Sequence, residues 1–530
     1  MTQYMPTRRQ LLTMIGQTAG ATAMYQAMSS MGFAATSNYQ GPVELAGAKT
    51  GRKVVILGAG LAGLTAAYEL RKAGYEVKVL EYQNRGGGRS WTINGGDSFT
   101  ELGGHEVDCK FTSGYLNPGP WRLPIHHYAL FDYCKKFNVA LQPFIMKNNK
   151  AYLHNSQAFE GKPQRIGDVE ADVRGYTSEL LAKSLRQGAL DESVSAEDQE
   201  KLLEGLKGWG VLDRNYRYVK SDELGSHRGW DVLPGGGLMP KEVSSSPIAF
   251  GPLLNSHLWH QLYAFNEYDH APALFEPVGG MGKLGDAFTE KTRDLIRFNA
   301  RVFKIEQGEN QVTVHYEDRT GGSDTYSEKA DWCICTIPLS ILSQLEVDVS
   351  DAKKKAIAAV PYASAFKVAL EFKRRFWEQD EWIMGGISYT DLPIVQIAYP
   401  SYNMFSDGPA VVQAAYDTYT AGKNYTYSFN TLTPQERILA ALEFGSQIHP
   451  QYKEEFISGT SCAWHRIPWT LGCYGQWTED LRAQHYDTLC EIDGRIVLAG
   501  EHCSHIPAWQ EGAILSGLDA IRRLDARENA

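Results

Sequence analysis

The sequence lacks the features that mark several classes of protein. Its 8 cysteines include no Cys-x-x-Cys pair and no cluster flanked by histidines, so the pattern indicates no metal site. It contains no long run of Lys and Arg, and its formal net charge of -10 argues against nucleic acid or an anionic membrane as a partner. Beyond the first 35 residues, no apolar run reaches the roughly 18 residues that a membrane span needs.

The N-terminus resembles a targeting segment. Arg8 and Arg9 precede a mildly apolar stretch rich in Ala, Met and Gly that runs to about Ala35. This pattern is typical of a twin-arginine signal peptide over residues 1–35, cut after Ala34, and predicts export to the periplasm or the medium. A flexible tail that carries two arginines by accident is the alternative.

A βαβ unit follows from Lys53. The apolar run KVVILGAG predicts a strand, LAGLTAAYELRKAG an amphipathic helix, and YEVKVLE a second strand. The glycines at the first turn permit a tight turn, close approach of a pyrophosphate and close packing of helix on strand, and the acid that ends the second strand would bind a ribose. These residues predict a dinucleotide site formed by Gly58, Gly60, Leu61, Ala62, Gly63 and Glu81.

The next segment favours FAD over NAD. After Glu81 the chain reads YQNRGGGRSWT, which resembles the second fingerprint of the flavin amine oxidase superfamily. Three later matches follow in the order of that superfamily: PVGGM from Pro277, ADWCICTIP from Ala330, and AGE from Ala499 followed by WQEGAILSG from Trp509. The resemblance covers about residues 52–525. It implies FAD contacts from Arg85, Gly88, Arg89, Val302, Gly500, Glu501, Trp509, Gln510 and Ala513.

The hexapeptide GPWRLP, residues 119–124, points to the substrate. It is similar to a segment of L-amino-acid oxidases whose arginine pairs with the substrate carboxylate while its backbone follows the flavin. The resemblance implies that Arg122 binds substrate and that Gly119, Pro120, Trp121 and Arg122 contact FAD. A guanidinium can make two parallel hydrogen bonds to a carboxylate, and the prolines restrict the backbone. A structural ion pair with an Asp or Glu of the fold is the alternative.

Other roles rest on the resemblance alone. Lys367 matches the lysine of the superfamily that holds a water beside the flavin, which implies a catalytic role; a solvated surface lysine is the alternative. Tyr399 is expected to be a second contact for the substrate carboxylate, although a shift of one residue would put Ala398 there. Aromatic walls around the substrate amine are expected from Trp464, Trp469, Tyr474 and Trp509.

The chain departs from the pattern of these oxidases in three places. Ala508 stands where related oxidases have glycine. None of His257, His260 and His270 aligns with the histidine proposed as a base, so we assign no general base. Cys473 matches the cysteine that monoamine oxidases bond to the flavin, whereas L-amino-acid oxidases generally bind FAD without that bond.

We therefore predict an α/β fold in which an FAD-binding, Rossmann-like GxGxxG domain is interleaved with a mixed-sheet substrate domain and a helical insert. The expected divisions are a signal peptide (1–35), an FAD-binding domain (52–90, 276–344 and 488–530), a substrate domain (91–165 and 345–487) and a helical domain (166–275).

The resemblance implies the oxidation of L-amino acids by O2, and an aromatic-rich, weakly charged pocket would favour large apolar or aromatic side chains. The products would be 2-oxo acids, ammonia and hydrogen peroxide. A monoamine or polyamine oxidase, an amino-acid 2-monooxygenase that gives an amide, and an FAD-loaded binding protein without turnover are the alternatives. We also expect a homodimer.

Overall fold

The computed structural model describes residues 36–48, 51–188, 194–265, 273–321, 324–417, 428–429 and 431–530. The predicted signal peptide therefore lies outside the described residues, as does His270. The strands, in chain order, are β1 (Lys53–Leu57), β2 (Glu76–Leu80), β3 (Ile93–Asn94), β4 (Ser98–Glu101), β5 (His105–Asp108), β6 (Tyr115–Leu116), β7 (Leu123–Pro124), β8 (Leu141–Pro143), β9 (Tyr152–His154), β10 (Gln164–Arg165), β11 (Trp230–Val232), β12 (Val243–Ser244), β13 (Leu274–Pro277), β14 (Ile296–Arg297), β15 (Ala300–Gln307), β16 (Val312–Asp318), β17 (Thr325–Ala330), β18 (Trp332–Cys335), β19 (Glu346–Val347), β20 (Phe366–Phe372), β21 (Ile387–Thr390), β22 (Gln396–Ala398), β23 (Ala410–Asp417), β24 (Phe456–Ala463) and β25 (Ile496–Leu498).

The helices lie mainly between these strands. The α-helices are α1 (Leu61–Lys72), α2 (Tyr128–Lys136), α3 (Ile166–Arg186), α4 (Ala196–Gly210), α5 (Gly225–Arg228), α6 (Phe250–Asn255), α7 (Lys283–Thr292), α8 (Leu339–Leu342), α9 (Asp351–Ala359), α10 (Phe376–Gln379), α11 (Pro434–Gly445), α12 (Tyr452–Glu455), α13 (Glu479–Cys490) and α14 (Gln510–Asn529). Short 3-10 helices span Phe159–Gly161, Leu258–Phe265, Arg293–Leu295, Trp464–Arg466 and Glu501–Cys503. Within the described ranges, no helix has both the length and the apolar character that crossing a membrane requires.

A five-stranded parallel sheet forms one half of the fold. Its strand order is β14-β2-β1-β18-β25, and every neighbouring pair is parallel. Strands β18 and β25 are completely buried and β1 nearly so, as is typical of parallel strands covered on both faces. Helix α1 connects β1 to β2, as predicted, and packs against α14. Since the strands come from widely separated parts of the chain, the sheet confirms an interleaved α/β fold.

A seven-stranded mixed sheet forms the other half, in the order β10-β9-β21-β22-β23-β20-β24. Strands β9 and β21 run parallel, whereas the other neighbours are antiparallel. All seven residues of β20 are buried, which suits the predominantly apolar sequence FKVALEF. Its charged residues, Lys367 and Glu371, are therefore unusual, because a buried charge needs a compensating partner.

The helical insert follows β10. Helix α3 packs along α4, and its Asp172 accepts hydrogen bonds from Tyr218 (2.8 Å) and Arg228 (2.7 Å). Strand β13 pairs with both β7 and β8, and it crosses the expected border between residues 275 and 276. The exact domain borders thus stay predictions, whereas the mixed sheet and the helical insert are present in the fold.

Candidate active site

A cavity of about 1010 Å³ opens at the carboxyl ends of the parallel strands. Gly58 follows β1, Glu81 follows β2, Thr336 follows β18 and Gly500 closely follows β25, and all four line the cavity. In open α/β sheets, this edge is where ligands bind. The position of the cavity is therefore the one that a dinucleotide-binding fold predicts.

The three glycines of the first turn have different surroundings. Gly58 has φ +100°, a backbone conformation that glycine adopts without strain. A Cβ atom added to Gly63 would lie 2.1 Å from the carbonyl oxygen of Gly58, so only glycine lets α1 pack this closely on the turn. A Cβ at Gly60 would meet no described atom within 4 Å. Gly58 and Gly60 line the cavity, whereas Gly63 packs behind it.

Glu81 is fixed by backbone donors. One of its carboxylate oxygens accepts a hydrogen bond from the N–H of Ala59 (2.5 Å) and the other from the N–H of Gln83 (2.9 Å). Burial raises the pKa of Glu81, although both hydrogen bonds act in the opposite direction. Since each carboxylate oxygen has two lone pairs, Glu81 keeps acceptor capacity at the cavity for the hydroxyl groups of a ribose.

Arg85 lies outside the cavity lining. Its guanidinium lies over the Trp91 ring, with 4.3 Å from Cζ to the ring centroid, and it donates hydrogen bonds to the carbonyls of Gly86 (3.1 Å) and Gly88 (3.0 Å). The residue therefore shapes the glycine turn from behind. The FAD contact expected of Arg85 stays a prediction, because its hydrogen bonds and its ring contact are made within the protein.

Arg89 lines the cavity instead. It donates one hydrogen bond to the Glu501 carboxylate (2.7 Å) and one to the Cys473 carbonyl (2.6 Å). Glu501 also accepts from the backbone N–H groups of Gly475 and Ala508, each at 3.2 Å. This partly buried ion pair joins three distant segments of the chain at one wall of the cavity.

Most of the residues predicted to contact cofactor or substrate meet at this cavity. Those in its lining are Gly58, Gly60, Leu61, Ala62, Glu81, Gly88, Arg89, Gly119, Pro120, Trp121, Arg122, Val302, Gly500, Glu501, Trp509, Gln510 and Ala513. Gly63, Arg85, Lys367 and Tyr399 lie outside the lining. The open space at Gly60, the buried acid and the N-terminal turns of α1 and α14 fit the ribose and pyrophosphate of FAD.

Arg122 lines the same cavity as Glu81. Its side chain is buried, and its Cζ atom is 5.3 Å from the centroid of the Trp121 ring and 5.6 Å from that of Trp509. A Cβ atom on Gly119 would lie 2.3 Å from the Arg89 carbonyl. Residues 119–124, here called the arginine segment, therefore run close against the chain at Arg89. The guanidinium of Arg122 thus lies close to two indole rings, those of Trp121 and Trp509.

Lys367 lies beneath the arginine segment. It is 1% exposed, which excludes the alternative of a solvated surface lysine. Its ammonium donates to the carbonyls of Gly119 (2.6 Å) and Asn117 (3.0 Å) and is 4.9 Å from the centroid of the Trp121 ring. Burial, with a smaller contribution from the charge of Arg122, lowers the pKa of Lys367 to about 7. The predicted contact with a water beside the flavin stays a prediction.

Tyr399 is not where the sequence analysis expected it. Its hydroxyl is hydrogen-bonded to Ser388 (2.7 Å) and His449 (2.6 Å) inside the mixed sheet, and both Tyr399 and Ala398 lie outside the cavity lining. Tyr416 lines the cavity instead. The strand of Tyr416, β23, is buried on both faces and shows no alternation, so the sequence gives no signal for this residue; the structure pairs it with Lys367 of β20.

Three of the four expected aromatic walls are present. Trp469, Tyr474 and Trp509 line the cavity. Trp464 is fully buried behind it and donates its indole N–H to the Pro118 carbonyl (2.7 Å), next to the arginine segment. Trp464 therefore supports the wall from behind.

The remaining candidates are a cysteine and the histidines. Cys473 lines the cavity, and burial raises the pKa of its thiol to about 12, so the thiol is protonated at neutral pH.

His257 and His260 lie outside the cavity lining, at the start of a 3-10 helix in the helical insert. In the part of the chain that the structure describes, no group of three or more His, Cys, Asp or Glu side chains could hold a metal ion.

Comparisons of the sequence with known proteins point to one family of flavoproteins. The model of the family of flavin containing amine oxidoreductases matches residues 61–524. An L-amino-acid oxidase of Vipera ammodytes ammodytes is 30% identical over 483 residues, which are 89% of this chain and 92% of that protein. YobN of Bacillus subtilis (strain 168), provisionally named an L-amino-acid oxidase, is 30% identical over 481 residues, 88% of this chain and 93% of its own.

The fold has solved counterparts. The structure of cyclohexylamine oxidase from Brevibacterium oxydans IH-35A aligns with a TM-score of 0.58 and 16% sequence identity, and the alignment covers 91% of this chain and 100% of that one. At this identity, the likeness concerns the fold alone.

Proposed function

Because the chain belongs to the family of flavin-containing amine oxidoreductases, we propose that it is an L-amino-acid oxidase. FAD is its cofactor. The proposed reaction converts an L-amino acid, O2 and water into a 2-oxo acid, ammonia and hydrogen peroxide. When bound, FAD supplies the two-electron acceptor that amine oxidation needs. The observation that carries the choice of substrate is the buried Arg122 in the cavity wall.

Arg122 binds the substrate carboxylate in this proposal. A planar guanidinium donates two parallel, charge-assisted hydrogen bonds to a carboxylate, which fixes both the position and the orientation of the amino acid. The indoles of Trp121 and Trp509 exclude water from this contact, and the pair is stronger where water is excluded. An amine substrate has no group that would use Arg122.

The cavity walls favour large apolar or aromatic substrates. Trp469, Tyr474 and Tyr416 present aromatic surface to the cavity. Such surface binds apolar side chains well and offers little to a charged one.

In this proposal, Lys367 holds the arginine segment through hydrogen bonds and also transfers protons. A neutral amine has two N–H donors, which match the carbonyls of Asn117 and Gly119, and it keeps one lone pair for a proton. With a pKa of about 7, Lys367 is able to accept and release a proton at physiological pH.

An oxidase of simple amines is the second candidate, since cyclohexylamine oxidase shares the fold. Peroxide release with the twenty L-amino acids, their D forms, phenylethylamine and putrescine separates the two. We expect peroxide with L-phenylalanine and similar amino acids, and a 2-oxo acid as the carbon product. Equal activity on phenylethylamine contradicts the proposal, and an amide with CO2 indicates a monooxygenase. No turnover of any of these compounds indicates a binding protein.

Export and dimer formation are further proposals. Arg8 and Arg9 support export by the twin-arginine pathway. The N-terminal sequence of the protein recovered from the periplasm or the medium tests it, with Arg8→Lys plus Arg9→Lys as the blocked control. Sedimentation of the FAD-loaded protein at several concentrations tests the dimer.

A further inference from the structure

The arginine segment is held on both sides by buried ionisable side chains. On its N-terminal side, Lys367 donates to the carbonyls of Asn117 and Gly119, as described above. On its C-terminal side, the second buried ionisable group is the carboxylate of Glu511, which is 0% exposed. The family resemblance assigns no role to this glutamate, and it lies outside the cavity lining.

Glu511 caps the helix that follows the arginine segment. One of its carboxylate oxygens accepts the N–H of Ala129 (3.0 Å) and the other the N–H of Leu130 (2.8 Å). Both donors belong to the first turn of α2, where backbone N–H groups have no partner within the helix. A negative charge at this end is also favoured by the helix dipole. Glu511 therefore fixes the position of the N-terminus of α2.

The chain between Arg122 and α2 leaves little freedom. It contains strand β7, which pairs with β13, and a turn closed by the hydrogen bond from His127 N–H to the Pro124 carbonyl (3.0 Å). Helix α2 begins only six residues after Arg122. A shift of the start of α2 is thus transmitted to Arg122 over a short and ordered path.

Glu511 itself belongs to the other side of the carboxylate site. It is the second residue of α14, and Trp509, whose ring lies 5.6 Å from the Arg122 guanidinium carbon, caps that helix. One side chain therefore fastens the segment that carries Arg122 to the helix that carries Trp509.

We propose that Glu511 is a positioning residue of the carboxylate site, which holds Arg122 at a fixed distance from Trp509. This inference rests on the proposed function, because it concerns the affinity for the substrate carboxylate. Glu511 does not touch the substrate in this proposal and acts through Arg122.

Glu511→Gln is the direct test. The amide offers one oxygen to two N–H donors and presents its own N–H₂ group to the other, so the two-point contact is lost. We expect the KM for L-phenylalanine to rise about tenfold with a smaller change in kcat and an unchanged FAD content. Hydrogen exchange at Ala129 and Leu130 should become faster, which is a readout that does not depend on catalysis.

Asp525→Asn is the matched control. Asp525 lies on the same helix, about 21 Å further along its axis, and its buried carboxylate also accepts two backbone N–H groups, those of Ala46 (2.6 Å) and Gly47 (3.2 Å). We expect this variant to lose stability without a change in KM. Equal changes of KM in Glu511→Gln and Asp525→Asn overturn the inference.

A double-mutant cycle shows whether Glu511 acts through Arg122. In an Arg122→Met background, Glu511→Gln should leave the affinity for benzoate, read from the flavin absorption spectrum, unchanged; a full further loss contradicts the inference.

If Glu511→Gln does not fold, Glu511→Asp, which keeps the charge, replaces it. If wild-type protein binds no benzoate and oxidises amines, the proposed function fails. If wild type binds benzoate and Glu511→Gln binds it equally well, only the present inference fails.

Discussion

Two parts of the cavity lining are built from different atoms. Beside β1 and β2, backbone atoms dominate: the turn of Gly58 and Gly60, and the N–H groups that hold Glu81. Around Arg122, side chains dominate, with Arg122 and Tyr416 among them. A site made of backbone depends on the space that glycine leaves, whereas a site made of side chains depends on their chemistry. Substitutions in the backbone part should therefore affect folding and FAD content, whereas substitutions in the side-chain part should affect KM.

Gly63→Ala should have the largest effect. The added methyl group would lie 2.1 Å from the Gly58 carbonyl oxygen, so α1 must move away from the turn. We expect loss of bound FAD and a low yield of folded protein. The ratio of flavin absorbance to protein absorbance, together with circular dichroism, measures both.

Gly60→Ala is the control for that change. Its methyl group would meet no described atom within 4 Å, and the residue lines the cavity. The variant should fold normally and bind FAD more weakly. Equal yields and equal FAD contents in both alanine variants would show that the turn does not depend on the close packing at Gly63.

Two tyrosines, one in the cavity lining and one outside it, test the side-chain part. Tyr416→Leu removes a ring from the cavity, and we expect a KM for L-phenylalanine several times higher at unchanged stability. Tyr399→Phe should instead lower the free energy of unfolding by about 1–3 kcal/mol, because Ser388 and His449 lose their partner, and leave KM unchanged. Steady-state kinetics and denaturant unfolding measure the two effects. The reverse assignment of effects would place Tyr399 in the site.

Lys367→Met tests the buried amine through pH. The pKa of about 7 in the folded protein lies below the unfolded value, so between these values the unfolded chain binds the additional proton. The stability of the wild type relative to Lys367→Met should therefore increase with pH above 7, by about 2 kcal/mol between pH 7 and 9. Denaturant unfolding at several pH values measures this difference. A difference that is constant with pH would contradict the titration of a buried amine.

Cys473→Ala should have the smallest effect. A thiol whose pKa is about 12 is a weak nucleophile at neutral pH, so we expect FAD to be bound without a bond to Cys473. Acid precipitation of the wild type should leave a yellow supernatant and a colourless pellet, and Cys473→Ala should keep its FAD. A yellow pellet from wild type that Cys473→Ala abolishes would establish the bond.

The contrast between the two parts of the lining also explains what the sequence could predict. The glycine turn and Glu81 form a local pattern within one βαβ unit, so their meeting at the strand ends follows from the chain order. Tyr416 meets Lys367 across two antiparallel strands, and their register cannot be read from strands that are apolar on both faces. The expectation for Tyr399 rested on the resemblance alone, which does not show that its hydroxyl is hydrogen-bonded to Ser388 and His449. Glu511 gives no local signal, because its partners at Ala129 and Leu130 are far away in the chain.

The most direct measurement compares Arg122→Met with the wild type on two substrates, L-phenylalanine and phenylethylamine, which differ by the carboxylate. We expect kcat/KM for L-phenylalanine to fall by a factor equivalent to about 2–5 kcal/mol, while kcat/KM for phenylethylamine stays low or rises and the FAD content does not change. Full retention of kcat/KM for L-phenylalanine in Arg122→Met, or equal losses on both substrates, would contradict the binding of a carboxylate by Arg122.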